Sequence, residues 1–256
     1  MKKTIQILKF FFIINIIWTF LLVSTLLNFI PAPELSRQKW RMHLLSFWAK
    51  VILFVTRIKT NVIGVRDRQQ SYLIISNHLS YLDVMILSAL CPTRFVTSVE
   101  MGTAPGLGVL TNVGGCLFVE RRNRNNLPKE IEQIAENLKK GINVVVFPEA
   151  TSTNGEAVKQ FKRPLFRASS LGGVPIQPVC LNYKSINGEA LKQSNRDMVF
   201  WYGDMDFLPH LWNLLSLRRI EVEVSFLPVL PSTEDVHQLS TKSYELITER
   251  FEPCTT

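Results

Sequence analysis

Between Phe10 and Ile30 the chain has no charged residue, and the segment is rich in Phe, Ile, Leu and Trp. That is about the length of helix that spans a bilayer core. A secretory signal has a shorter apolar region and a small-residue cleavage site, and Leu26 to Ser36 offers a poor one. The segment therefore reads as an uncleaved anchor, set against the blander reading of a buried helix in a soluble core. Lys2, Lys3 and Lys9 precede it, and Arg37, Lys39 and Arg41 follow. With both flanks basic, the charge rule favours neither orientation. The next stretch, Trp40 to Lys59, is apolar but interrupted by Arg41, His43, Lys50 and Arg57, as in an interfacial helix whose basic groups reach lipid headgroups. The expectation is a helix pair dipping into one leaflet, with a true transmembrane span as the alternative. Residues 1–58 then form a membrane-anchoring segment and residues 59–256 a single domain.

The chain has 256 residues, a net charge of +8 and a pI near 9.4, which points to an anionic partner. In a nucleic-acid protein the aromatic residues would interleave with the basic cluster. Here they concentrate in the membrane segment, so the expected partner is an anionic membrane surface and not nucleic acid. The four cysteines, Cys91, Cys116, Cys180 and Cys254, are scattered without a C-x-x-C pair, as in a reduced cytoplasmic chain with no zinc site.

Beyond the membrane segment, β-rich runs alternate with helical ones. Residues 72–76, 93–98, 115–120, 142–148 and 175–183 read as strands, several apolar throughout as buried central strands are. Leu127 to Lys140 places Ile131, Ile134, Ala135 and Leu138 at helical spacing and stops at Gly141. The fold class is α/β, one domain with a mixed, largely parallel sheet flanked by helices. Residues 220–230 begin with strict alternation, which predicts a half-exposed edge strand.

Polar breaks interrupt this pattern at strand ends. Ser76 to Asp83, S-N-H-L-S-Y-L-D, puts a histidine and an aspartate five residues apart directly after an apolar run. Ser80 to Asp83 fits a helix capping box, and Asp83 could be no more than that. The functional reading makes His78 a general base whose other ring nitrogen is held by Asp83. Five residues turn an ideal helix through about 500°, so His78 must sit in the turn before the helix and fold back. Val144 to Gly155 ends a buried strand in Pro148-Glu149 and a small-residue turn, whose bland reading is a loop with a solvated Glu. Gly114 to Arg124 ends in Glu120, Arg121, Arg122 and Arg124, a solvated charge cluster or a phosphate-binding fork. Gly172 to Val179 is a Gly-Gly turn into a strand, with no reactive group.

In this order, N-H-L-S-Y-L-D, F-V-E-R, F-P-E-A-T-S and V-P-I-Q-P-V resemble the four blocks of the glycerolipid acyltransferase family, typified by 1-acyl-sn-glycerol-3-phosphate acyltransferase. The resemblance covers roughly Asn61 to Tyr183, and the N-terminal anchor is similar to that of bacterial members. It implies that His78 deprotonates the free hydroxyl of a lysolipid while Asp83 steadies the imidazolium. The hydroxyl then attacks an acyl thioester directly. Asn77, Phe118, Arg121, Glu149, Ala150, Thr151 and Pro175 would belong to the substrate site. Arg121 would hold the acceptor's phosphate, Glu149 and Thr151 would shape the acceptor site, and Val174 to Pro178 would line the acyl side. No metal or redox cofactor is implied, since the thioester of coenzyme A or of acyl carrier protein is a cosubstrate. The implied place is the bacterial inner membrane, with the catalytic domain facing the cytoplasm.

The third block departs from the family pattern F-P-E-G-T-R-S. Ala150 replaces Gly and Ser152 replaces Arg, so one cation is missing, and Lys159, Lys162 and Arg163 are the nearest substitutes. The expected acceptor is 1-acylglycerol-3-phosphate, giving phosphatidic acid. Lyso-ornithine lipid is the alternative, because Trp201 to Leu215 resembles a bacterial subgroup that acts on it. The bland reading of that segment is an interfacial helix with Phe207, Leu208, Leu211 and Trp212 facing lipid and His210 at the surface. A serine hydrolase lacks its G-x-S-x-G elbow here, and a P-loop enzyme lacks its G-x-x-x-x-G-K-[ST]. A catalytically inactive membrane adaptor is the remaining competitor, and the intact His78 and Asp83 speak against it.

Overall fold

The computed structural model describes residues 2–65, 67, 69–120 and 124–254. Two long helices come first, α1 (Lys2–Leu26) and α2 (Glu34–Thr56), and Arg57 ends α2 in the left-handed conformation. The chain continues as β1 (Ile58–Ile63), β2 (Leu73–Ser76), α3 (Leu82–Leu90), β3 (Arg94–Ser98), α4 (Val99–Thr103), α5 (Leu107–Val113), β4 (Leu117–Val119) and α6 (Leu127–Lys139). It closes with β5 (Val144–Val146), α7 (Arg167–Gly172), β6 (Ile176–Ile186), β7 (Glu189–Ala190), α8 (Phe207–Leu215), β8 (Ile220–Phe226) and α9 (Val236–Arg250).

The strands make one sheet in the order β1-β8-β6-β2-β5-β3-β4, with β7 hydrogen-bonded to β6. Every neighbouring pair is parallel except β6 with β8 and β6 with β7. The fold is therefore α/β with a mixed, largely parallel sheet and an N-terminal apolar helix. β2 and β5 are buried along their whole lengths, which is why they read as unbroken apolar runs. Right-handed crossovers place α3, which travels from β2 towards β3, and α6, which travels back from β4 to β5, on opposite faces. α2 packs on α3, and α6 packs on α7.

Residues 220–226 depart from expectation. β8 is an interior strand, because β1 pairs with it in parallel from Ile58–Ile220 to Ile63–Ser225. Of its alternating acids, Glu223 is buried and Glu221 is half-exposed. Ser185 Oγ donates to Glu221, while Arg250 donates to Glu223 and to Ser225 Oγ, so each polar residue has a partner on the sheet or on α9. β1 escapes the sequence pattern because Lys59, Thr60 and Asn61 interrupt its apolar residues and only Ile58 of the six is buried.

α1 and α2 form an antiparallel pair lying against the domain. Lys3–Phe29 is long and apolar enough to cross a membrane, yet one face of α1 is docked. Gln6 donates to the Trp212 carbonyl at 2.7 Å, Lys9 Nζ to the Leu217 carbonyl at 2.6 Å, and Phe10 meets Trp212 edge to face. The opposite face exposes Ile5, Leu8, Phe12, Trp18 and Leu22. On α2 the outward stripe alternates aromatic and basic groups: Trp40, His43, Phe47, Lys50, Phe54 and the flanking Arg57.

Gly64 shows how tightly β1 is joined to the sheet. A Cβ there would lie 2.3 Å from the Phe226 carbonyl oxygen, and the residue sits at φ +82°. Gly64→Ala should therefore destabilise the domain by about 1–3 kcal/mol. Thermal unfolding in detergent checks this, and an unchanged Tm would mean that β1 detaches freely from β8.

Candidate active site

The parallel strands β2, β5, β3 and β4 all end on the same edge of the sheet. After β5 the chain crosses back to β6 on the other side of β2, so a crevice opens between the ends of β2 and β5, where α/β sheets place ligands. His78 occupies the turn after β2, before α3 begins, and folds back as the spacing required. Its Nδ1 lies 2.9 Å from Asp83 Oδ2. Its ring stacks on Phe147 at the end of β5, with centroids 4.0 Å apart and planes within 15°.

One carboxylate, that of Asp83, accepts from the Ser80 N–H, which is the acidic half of the capping box, and also holds the imidazole of His78. Oδ2 accepts from the backbone N–H of Leu79 at 2.6 Å and of Ser80 at 2.9 Å, as well as from His78. Oδ1 accepts from the Tyr183 hydroxyl at 2.8 Å. Asp83 is fully buried, and its four donors offset the cost of removing a carboxylate from water. Burial and the adjacent Asp83 carboxylate hold the Tyr183 hydroxyl well above its ordinary pKa, so it remains a donor. No motif block singles out Tyr183 for this part. The available signal is a lone hydroxyl at the end of the apolar run 175–183, since a buried Tyr usually finds a partner for its O–H.

The backbone of His78 is also fixed. Its N–H donates to Glu149 Oε1 at 2.7 Å, and its carbonyl accepts from the Thr153 N–H at 2.9 Å. Glu149 Oε2 accepts from the Lys159 N–H at 2.8 Å. Glu149 is thus neither solvated nor turned to a ligand, but ties three loop segments together. Ala150 adopts φ +61°, the left-handed region, which explains why the family block commonly has Gly there. Ala150, Thr151 and Ser152 line the cavity described below.

Three other expected site residues sit elsewhere. Asn77 is 1% exposed, and its side chain is consumed by the main chain of Leu181, donating to the carbonyl at 2.9 Å and accepting from the N–H at 2.8 Å. It extends the ladder between β2 and β6 and does not face a substrate. Pro175 precedes β6, which runs parallel to β2 with Leu73 opposite Ile176 and Ser76 opposite Val179. Pro175 therefore lies level with the start of β2, about 13 Å along the strands from the end of β2 that leads into His78. The stretch Val174 to Pro178 takes no part in the cavity lining. Phe118, the register partner of Thr97, lies over Gly102 outside that lining. Arg121 falls outside the described residues, and Lys159, Lys162 and Arg163 are solvent-exposed.

From His78 an apolar cavity of about 480 Å³ extends beneath the N-terminal helices. Ile13, Ile16, Ile17 and Phe20 of α1, Leu45, Trp48 and Ile52 of α2, and Val84 and Met85 of α3 line it. Phe207, Leu211 and Leu214 of α8 close another side. This corrects the expectation for α8: Leu208 and Trp212 face outward, Leu211 faces the cavity, and His210 is buried. With Nδ1 engaged by Asp83, Nε2 is the ring nitrogen left to remove a proton from a hydroxyl brought to the cavity.

Comparison with known proteins agrees with this geometry. A family model described as Acyltransferase matches residues 57–182. A lyso-ornithine lipid O-acyltransferase of Brucella abortus is 31% identical over 217 residues, covering 80% of each chain. A 1-acyl-sn-glycerol-3-phosphate acyltransferase of Neisseria gonorrhoeae is 29% identical over 183 residues, covering 71% of this chain and 69% of the other. Among solved structures, the 1-acyl-sn-glycerophosphate acyltransferase PlsC of Thermotoga maritima superposes with a TM-score of 0.68. It covers 98% of this chain and 96% of its own at 16% identity, a likeness of fold.

Burial raises the Glu149 carboxyl from its ordinary 4.5 to about 7, although the N–H groups of Lys159 and His78 pull it down. The folded protein therefore holds a proton that the unfolded chain releases above about pH 4.5. The stability this confers is present at low pH and lost as pH rises through about 7. Glu149→Gln should remove that component, so the Tm difference between pH 5 and pH 7 shifts relative to the parent. An identical pH dependence in the two proteins would mean that Glu149 is ionised throughout.

Proposed function

Because this chain belongs to the glycerolipid acyltransferase family, we propose that it moves a fatty acyl group from an acyl thioester to the free hydroxyl of a lysolipid. The supporting observation is His78, held by Asp83 at the wall of an apolar cavity. Nε2 takes the hydroxyl proton as the oxygen attacks the thioester carbonyl, and Asp83 steadies the imidazolium. When the tetrahedral intermediate collapses, the carbon–sulfur bond breaks and the proton passes to the departing thiolate. General-base assistance of this kind contributes about 10²- to 10⁴-fold in rate. The cavity receives the donor's acyl chain, since the polar carrier of the thioester, coenzyme A or acyl carrier protein, must stay outside an apolar space.

The acceptor we favour is lyso-ornithine lipid. Ser152 stands on the cavity wall where the family block commonly has Arg, and among the described residues no Lys or Arg lines the cavity. The second reading, 1-acylglycerol-3-phosphate yielding phosphatidic acid, is favoured by the intact F-V-E-R block with Arg121. The docked faces of α1 and α2 support a helix pair seated in one leaflet, and the same reading places that leaflet on the cytoplasmic side of a bacterial inner membrane. Exposed apolar side chains of α1 enter lipid, and the basic groups of α2 meet anionic headgroups.

The test presents one labelled acyl thioester and a panel of lysolipids to the purified protein. Lyso-ornithine lipid should be acylated most efficiently, and His78→Ala should lose at least about 10²-fold while remaining folded. If 1-acylglycerol-3-phosphate is preferred and Arg121→Ala costs about ten- to a hundredfold with that acceptor alone, the phosphate reading replaces ours. Failure of every acceptor in the panel would sink both. For the membrane arrangement, cysteines placed near Lys3 and near Arg37 should react alike with an impermeant reagent on sealed vesicles. Opposite accessibility would show a true span.

A further inference from the structure

His210 is a buried, titratable side chain that the transfer chemistry leaves unused. It lies on α8, 6% exposed, with Nδ1 3.0 Å from the hydroxyl of Tyr81. Burial lowers its pKa and raises that of Tyr81, so the pair is neutral and joined by a hydrogen bond rather than by charge. A leucine here would fill space without desolvating a polar ring. What the histidine adds is the bond to Tyr81, beside the attraction of its ring for the backbone of Phe200 and Asp197.

That bond joins two walls of the cavity. Tyr81 sits in the His78–Asp83 turn, and its ring packs edge to face with Phe207 at 5.0 Å and Trp201 at 6.0 Å. α8 is only nine residues long and presents Phe207, Leu211 and Leu214 to the cavity. Its C-terminal end is held by α1, through Gln6 to the Trp212 carbonyl and Lys9 to the Leu217 carbonyl. Towards the catalytic turn, His210 is its hydrogen-bonded side-chain link. A wall fixed at both ends keeps one shape, whereas a wall fixed at one end adapts to what enters.

We propose that the Tyr81–His210 hydrogen bond is a specificity-determining contact: it holds α8 as a rigid wall and thereby sets the acyl-chain length that the cavity accepts. Tyr81 and His210 act as positioning residues. The inference rests on the acyl-transfer reading of the same cavity and concerns selectivity, not the proton transfer itself.

The experiment measures kcat/KM for a homologous series of saturated acyl thioesters with one saturating acceptor, alongside Tm. A rigid apolar pocket discriminates by about tenfold per methylene, and the parent should show a sharp optimum of this kind. Tyr81→Phe keeps the ring and loses the bond, and with His210→Leu it should flatten the profile to about a twofold spread around the optimum. His210→Asn places an amide acceptor near the position of Nδ1 and should keep the parent profile. An unchanged profile in Tyr81→Phe, even with a lowered Tm, would make the contact structural only and overturn the proposal. So would a parent indifferent to chain length, or a His210→Asn profile as flat as that of His210→Leu. A parent that transfers no acyl group at all overturns the acyl-transfer reading instead.

Discussion

The carboxylate of Asp83 is the point on which the site depends. A buried carboxylate is tolerable only when its lone pairs are engaged, and here Leu79, Ser80, His78 and Tyr183 supply the donors. Two of these are backbone groups of the turn and one is the imidazole of the same turn. The fourth comes from β6, 100 residues away in sequence. Satisfying one charge therefore folds the turn, aims the imidazole and attaches both to the sheet. The arrangement is preorganised, because nothing in it waits for a substrate to complete it.

Backbone bonds reinforce this centre from the neighbouring strand. The loop after β5 grips His78 at both its N–H and its carbonyl, through Glu149 and Thr153, while Phe147 stacks on the ring. Asn77 carries the β2–β6 ladder one residue further than the strand itself. Several residues that look like ligand contacts in a motif are thus the struts of a turn. Their work is to keep Nε2 pointing at one place.

The N-terminal helices belong to the same design. One face of α1 exposes apolar side chains suited to lipid, and the other lines the cavity beside His78. Under the proposed function, a helix that serves both surfaces would let an acyl chain remain in apolar surroundings while its reactive end meets the imidazole. The polar anchors Gln6 and Lys9 hold that helix on α8, so anchor and cavity wall form one packed unit.

By itself the sequence determined the α/β class, the central strands, the apolar N-terminus and the pairing of His78 with Asp83, because these follow from local patterns: unbroken apolar runs, helical spacing and a spacing that only a turn can close. What only tertiary structure decided depends on contacts between distant segments. Residues 220–226 alternate like an edge strand, but β1 covers them and Arg250 and Ser185 satisfy their acids. Pro175 belongs to a motif block, yet parallel register puts it level with the start of β2. Asn77, Glu149, Tyr183 and His210 are polar residues whose roles are set by which buried partner each finds. A linear sequence gives the need for a partner; only the folded chain supplies its address, because an unpaired polar group costs the same wherever its partner lies in sequence.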